Sequence, residues 1–175
     1  MSELLGGAGM PDRWQRLWAP HRMEYLKGDN RPLPGNDVPC PFCTIPTLSD
    51  EESLIVARGE FAYVVMNLYP YNAGHLLVCA YRHVADLTDL SDEERSEISS
   101  LTAHAMRTLR EVSHAAGFNI GMNQGSVSGA GIAEHIHQHV VPRWAGDANF
   151  MPIIGGTKIL PQLLGQTRSD LARAW

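Results

Sequence analysis

The run His135-Ile136-His137-Gln138-His139-Val140-Val141-Pro142-Arg143 constrains this chain more than any other segment. Its alternation fits a β-strand, where residues two apart point to the same face at a spacing of about 6.5–7 Å. His135, His137 and His139 then line one face, and Ile136 and Val140 turn toward the core or a helix. A polar sheet face that uses histidine by chance is one reading, but exposed strand faces favour Thr, Lys or Glu. A single metal bound by all three is another. On a straight strand the outer two lie about 13 Å apart, whereas ligands sit only ~2 Å from a zinc ion, so three on one ion is difficult. Divided chemical roles along one face fit better.

The elements around this strand predict an α+β domain. Ser53–Ala57 and Phe61–Asn67 are rich in β-branched and aromatic residues and flank Arg58-Gly59-Glu60, as a hairpin does. Leu76–Tyr81 is apolar throughout, which predicts a strand covered on both faces. Ser91 and Glu94 have the spacing of a capping box. Behind them Ile98, Leu101, Ala105, Leu109 and Val112 make one apolar helical stripe that ends before Gly117. Phe118–Asn123 reads as a fourth strand and residues 135–143 as a fifth. Helices are expected over Pro11–Lys27, with a possible break at Pro20, and from Ile159 to about Ala174. An irregular connector is expected over Asp29–Pro39, and extended loop over 145–158. The expectation is one antiparallel sheet of about five strands with a long helix across it. Residues 1–39 and 146–175 would be appended to a 40–145 unit within a single domain.

Charge narrows the function. With 14 Lys and Arg against 19 Asp and Glu, the net charge is −5, so no basic footprint for long nucleic acid exists. Small anions remain possible ligands, because local backbone N–H groups can hold phosphate on an acidic protein. No apolar run approaches the roughly 20 residues of a membrane span, and Met1–Met10 lacks the pattern of a secretory signal. A cytoplasmic chain without membrane contact is expected.

Two further motifs carry chemistry. Asn123-Gln124-Gly125-Ser126-Val127-Ser128-Gly129-Ala130-Gly131 is either a wide hairpin turn or a cradle where backbone N–H groups approach an anion. Its position just before the histidine strand favours the cradle. Cys40-Pro41-Phe42-Cys43 is a C-x-x-C whose sulfurs can both reach one zinc ion. A thioredoxin-like redox motif would open a helix after a strand, and this pair follows a Pro/Gly-rich connector instead. The remaining Cys79 lies mid-strand and reads as a small buried hydrophobe.

His135-x-His137-x-His139 followed by two apolar residues resembles the motif of the HIT (histidine triad) family. Upstream, Asn67 through Gly74-His75-Leu76-Leu77-Val78 is similar to the family's Asn, loop, Gly-His and apolar strand. The resemblance spans roughly Cys40 to Arg143 and implies a HIT-like fold and nucleotidyl transfer through a covalent nucleotidyl-histidine. His137 would attack the α-phosphorus, His139 would contact the α-phosphate and assist proton transfer, and His135 would orient His137 or hold a metal. His75 would support the triad, though alone it reads equally well as a satisfied core histidine. Asn67 would meet the ribose. Asn123 with Gly125, Ser126, Ser128, Gly129 and Gly131 would hold phosphates. Zinc-bearing relatives use two histidines at the places of His83 and His135, which with Cys40 and Cys43 implies a closed structural zinc site.

His139 stands where the sugar-1-phosphate uridylyltransferase branch carries Gln, which implies the hydrolase and phosphoramidase side of the family. Pro142-Arg143-Trp144-x-Gly146-Asp147-x-Asn149-Phe150-Met151-Pro152 resembles the bacterial diadenosine tetraphosphate phosphorylase-like branch. That implies cleavage of dinucleoside polyphosphates, by phosphate (giving ADP and ATP) or by water, although Gly129-Ala130-Gly131 lacks the hydroxyl expected of a phosphate acceptor site. A purine nucleoside phosphoramidase or a non-catalytic nucleotide sensor are the alternatives. The family's usual homodimer is also implied, with Trp175 and the Trp14/Trp18 helix as contact candidates.

Overall fold

The computed structural model describes residues 39–147 and 160–175. The helix expected over Pro11–Lys27, nearly all of the connector and most of the 145–158 loop lie outside these residues. Five strands form one antiparallel sheet: β1 (Ile55–Arg58), β2 (Ala62–Met66), β3 (Leu76–Ala80), β4 (Gly117–Met122) and β5 (His137–Arg143). They are ordered β1-β2-β3-β5-β4, so β5 is flanked on both sides and β1 and β4 are edges. The helices are α1 (Pro41–Thr44), α2 (Asp50–Ser53), α3 (Asp92–Ser113) and α4 (Leu164–Arg173). No helix among the described residues is long and apolar enough to cross a membrane.

The central strands are buried on both faces, and the faces differ. Val64, Met66, Leu76, Val78 and Val140 pack with Ile98, Ala105 and Leu109 of α3. Tyr63, Val65, Leu77 and Cys79 turn the other way and gather around Phe42. Cross-strand partners share a face, so the pairings of Cys79 with His137 and Leu77 with His139 put both histidines on the side away from α3. Each fully buried aliphatic side chain in these layers stabilises the domain by roughly 1.5–3 kcal/mol.

α3 begins as its capping box predicts: Ser91 Oγ accepts from the Glu94 amide, and the Glu94 carboxylate accepts from the Ser91 amide. It ends before Gly117 as expected, closing at Ser113 with His114 in the left-handed position at φ 53°. Three bounds shift. Ser53 belongs to the short helix α2, whose amides are capped by Ser49, instead of opening β1. β5 pairs only from His137, because His135 and Ile136 leave the ladder to meet the segment at Val84. The C-terminal helix begins at Leu164, following Pro161. Trp175 stacks on His104 at 4.3 Å and stays half-buried at the end of the chain described.

The β1–β2 hairpin rests on a contact between distant residues. Glu97, the residue before Ile98 on α3, accepts hydrogen bonds from the amides of Glu60 and Ala62 at 2.8 Å and from that of Phe61. A Cβ at Gly59 would lie 2.5 Å from the Glu97 carboxylate, which explains glycine there. Glu97→Ala strips three amides of a charged acceptor and is expected to cost about 2 kcal/mol in urea unfolding, with Glu97→Gln retaining part of it. An unchanged midpoint for Glu97→Ala would remove this contact from the account of the hairpin.

Candidate active site and metal centre

The end of β3 and the start of β5 meet around His135. Its Nε2 donates to the Ala80 carbonyl at 2.9 Å, so in the neutral ring the lone pair sits on Nδ1. That Nδ1 lies 3.5 Å from Cys40 Sγ and 3.6 Å from Cys43 Sγ, and His83 Nδ1 lies 3.3 Å from Cys43 Sγ. The four donor atoms fall within 4.8 Å of one another. A tetrahedron with Zn–S of about 2.3 Å and Zn–N of about 2.05 Å has S···N edges near 3.6 Å, so the donor set fits one ion closely. Burial, then the adjacent Cys40 sulfur, push the Cys43 thiol up, a strain that a bound cation relieves.

Local chain geometry brings these donors together. Cys40 caps α1, with Pro41 at its first position and the amides of Cys43 and Thr44 turned back to the Cys40 carbonyl. His83 is held from both sides. Arg82 forks onto the Glu94 carboxylate at 2.6 and 2.9 Å, and Val84 O accepts the Ile136 amide at 2.7 Å.

Two residues further along β5, His137 Nδ1 donates to the carbonyl of His135 at 2.8 Å. The neutral ring therefore keeps its proton on Nδ1 and presents an unprotonated Nε2. Desolvation lowers the pKa of His137, so the neutral form dominates near pH 7. His139 is governed by a relay. The Tyr71 amide donates to His75 Nδ1 at 3.0 Å, which fixes the His75 proton on Nε2. His75 Nε2 then donates to His139 Nδ1 at 3.0 Å, leaving the His139 proton on Nε2. That nitrogen is buried and has no hydrogen-bond partner among the described residues. The site therefore carries one bare imidazole nitrogen and one unmet imidazole N–H on adjacent rings whose centroids are 4.9 Å apart.

The matching family model is the HIT domain, over residues 49–146. The chain belongs to the HIT domain family. It is 52% identical over 174 residues to a protein named AP-4-A phosphorylase from Mycobacterium tuberculosis, covering 97% of this chain and 88% of that one. It is 30% identical over 95 residues to the asymmetrical bis(5'-nucleosyl)-tetraphosphatase of Schizosaccharomyces pombe, covering 54% of this chain and 52% of that one. Among solved structures, a Zn-bound histidine triad family protein from Mycobacterium smegmatis superimposes with a TM-score of 0.63 at 28% identity, covering 77% of this chain and 91% of that one.

The remaining HIT-motif residues fall around this core. Gly74, at φ 70° and with Leu109 Cδ2 only 3.0 Å from where a Cβ would stand, seats His75 against the sheet. Asn67 follows β2, its amide nitrogen 3.2 Å from His75 Nδ1 and its oxygen accepting the Tyr69 amide. Asn123 follows Met122, the last residue of β4, whose partner across the ladder is Gln138. Gly125–Gly131 forms a turn between β4 and β5, exposed over Gly125–Ser128 and with Ala130 buried, with Gly125 and Gly129 at positive φ. The Ser128 hydroxyl bonds back to Gly125 O at 2.8 Å, and Ser126 is exposed. Two side chains absent from the sequence expectations touch the histidines. Tyr71 stacks on His139 at 5.7 Å, and Phe42 lies against both His135 and His137. Phe42 stands out in sequence only by lying between the cysteines. Tyr71 carries no signal beyond its loop.

Burial, reinforced by His137, takes His139 from 6.5 down to about 4. The unfolded chain takes up a proton at its ordinary value and the folded chain resists until the lower one. This group's contribution to stability is thus complete above pH 6.5 and lost between there and about pH 4. Nitrogen-15 NMR is expected to find His139 neutral at pH 5.5 with its proton on Nε2, and His137 neutral at pH 7.5 with its proton on Nδ1. A charged His139 at pH 5.5 would break the relay.

Proposed function

We propose that this chain cleaves dinucleoside polyphosphates such as diadenosine tetraphosphate, through a covalent nucleotidyl-histidine on His137. The observation that carries the reading is the pairing of a bare Nε2 on His137 with an unmet N–H on His139. In the first step His137 Nε2 attacks the α-phosphorus of one nucleoside, the P–O bond to the bridging oxygen breaks, and ATP departs. His139 Nε2–H donates to the phosphate oxygen where charge gathers, and His75 holds that ring in the donating tautomer. In the second step inorganic phosphate attacks the adenylyl-histidine, the P–N bond breaks, and ADP leaves with His137 restored. Asn67 is suited to the ribose. Asn123 and the turn bearing Gly125, Ser126, Ser128, Gly129 and Gly131 are suited to the phosphate chain.

Phosphate as acceptor is supported by the 52% identity to AP-4-A phosphorylase over nearly the whole chain. Water is the second reading, favoured by Gly129-Ala130-Gly131, which offers no hydroxyl where the turn enters the histidine segment. The reaction is expected to run in the cytoplasm, on a 40–145 unit to which residues 1–39 and 146–175 are appended within one domain. A homodimer is supported by the β4 edge, where Asn119, Ile120 and Gly121 are exposed beside a cleft of about 210 Å³ lined by Leu87, Ile98, Thr102 and Met122.

Incubation with diadenosine tetraphosphate should yield ADP and ATP only when phosphate is present, and His137→Ala should lower turnover by at least about 10³-fold while nucleotide still binds. AMP and ATP without phosphate would transfer the assignment to hydrolysis. Undiminished turnover in His137→Ala would end it.

We further propose that Cys40, Cys43, His83 and His135 hold a structural zinc ion. Four protein ligands close its shell, so the ion supplies folding energy and no reactive position. Elemental analysis should find one zinc per chain, and Cys43→Ala should lower the melting temperature by about 10 °C or more. Metal-free protein with the same melting temperature would refute the site.

A further inference from the structure

His137 has the wrong tautomer by default. A histidine side chain free in water prefers its proton on Nε2, the nitrogen that has to attack, so the protein must hold Nδ1–H on the His135 carbonyl. One hydrogen bond between residues two apart in the chain leaves the ring able to swing. What packs against the ring therefore decides how well that bond is kept. Phe42 is 6% exposed, and its ring centroid lies 4.7 Å from that of His137, inclined at 44°. The same ring meets His135 edge-on at 5.5 Å. Its backbone is fixed as well, since the Tyr63 hydroxyl donates to the Phe42 carbonyl at 2.7 Å in the buried layer beneath. Phe42 stands between Cys40 and Cys43, on the turn that brings both sulfurs to His135.

We propose that Phe42 is a positioning residue for His137, a wedge on the cysteine turn that keeps the imidazole bonded to the His135 carbonyl and its Nε2 directed outward. The cysteine turn thus reaches the reacting nitrogen along two routes, the His135 carbonyl and the Phe42 ring. This inference rests on His137 being the nucleophile, but the tautomer it concerns is measurable without substrate.

The test uses full-length, metal-loaded Phe42→Ala and Phe42→Leu, with zinc content, His137 ring nitrogen-15 shifts, kcat and KM for diadenosine tetraphosphate recorded on each. In Phe42→Ala the two ring nitrogens should shift toward each other as the Nε2–H form mixes in. There kcat should fall roughly tenfold, the factor one aromatic contact of this kind is worth, with KM within about twofold of the parent. Phe42→Leu, which keeps an apolar side chain on the ring, should recover most of both. If Phe42→Ala cannot hold its metal, Phe42→Leu at full occupancy decides, and a smaller shift of the same sign is required. Unaltered ring shifts in the metal-loaded variants would overturn the proposal. So would a change confined to KM, which would make Phe42 a wall of the nucleotide pocket instead. Phe42-dependent shifts in a chain that never transfers a nucleotide would refute the proposed function and leave this role standing.

Discussion

A neutral imidazole carries a single proton, and the nitrogen that holds it decides whether the ring attacks or donates. In this chain the choice is made by backbone groups. The His135 carbonyl takes the proton side of His137. The Ala80 carbonyl takes that of His135, and the Tyr71 amide sets His139 through His75. Each of these groups is held by the sheet or by the loop that feeds it, so three chemically identical side chains acquire three different faces. His135 offers a lone pair to the cysteines, His137 offers one to an electrophile, and His139 offers a proton to an acceptor. Desolvation reinforces the pattern, since it disfavours the imidazolium that would erase these distinctions.

Much of this was legible in advance. Alternation gives the strand over 137–143 with His137 and His139 on one face, although His135 falls outside the ladder, and the capping box with its 3.6-residue stripe gives α3 almost to its first residue, because both signals are local and repeat. The Cys40, Cys43, His83 and His135 cluster followed from the resemblance, not from spacing, since the donors come from three separate stretches of chain. What could not be read is non-local or concerns protons. Glu97 beneath the hairpin contacts amides 35 to 37 residues away. The Tyr71 amide acts through its backbone, which no side-chain pattern reports. His114 ends α3 in the left-handed conformation because its C-cap amide bonds back to the Arg110 and Leu109 carbonyls, and that closure outweighs a modest left-handed cost.

Function on this fold asks two faces of one strand for opposite properties. On the α3 side, Val140 has to pack as tightly as any core residue. On the other, His137 and His139 need room for a ligand, and that face cannot be anchored by filling it. The chain anchors β5 at its ends instead. At the start, the Ile136 amide is tied to Val84, and Arg82 ties the same segment to Glu94 inside the capping box of α3. At the far end, Arg143 pairs with both oxygens of Asp147, a carboxylate that Arg143 and the Trp144 amide hold well below its ordinary range. Asn72 joins that pair from the loop that carries Tyr71 and His75. An exposed ion pair contributes little alone, but a bidentate one that also gathers two loops fixes a register. The same network that fixes β5 also holds the loop that feeds the relay, and the His75–His139 contact at 3.0 Å is set between them.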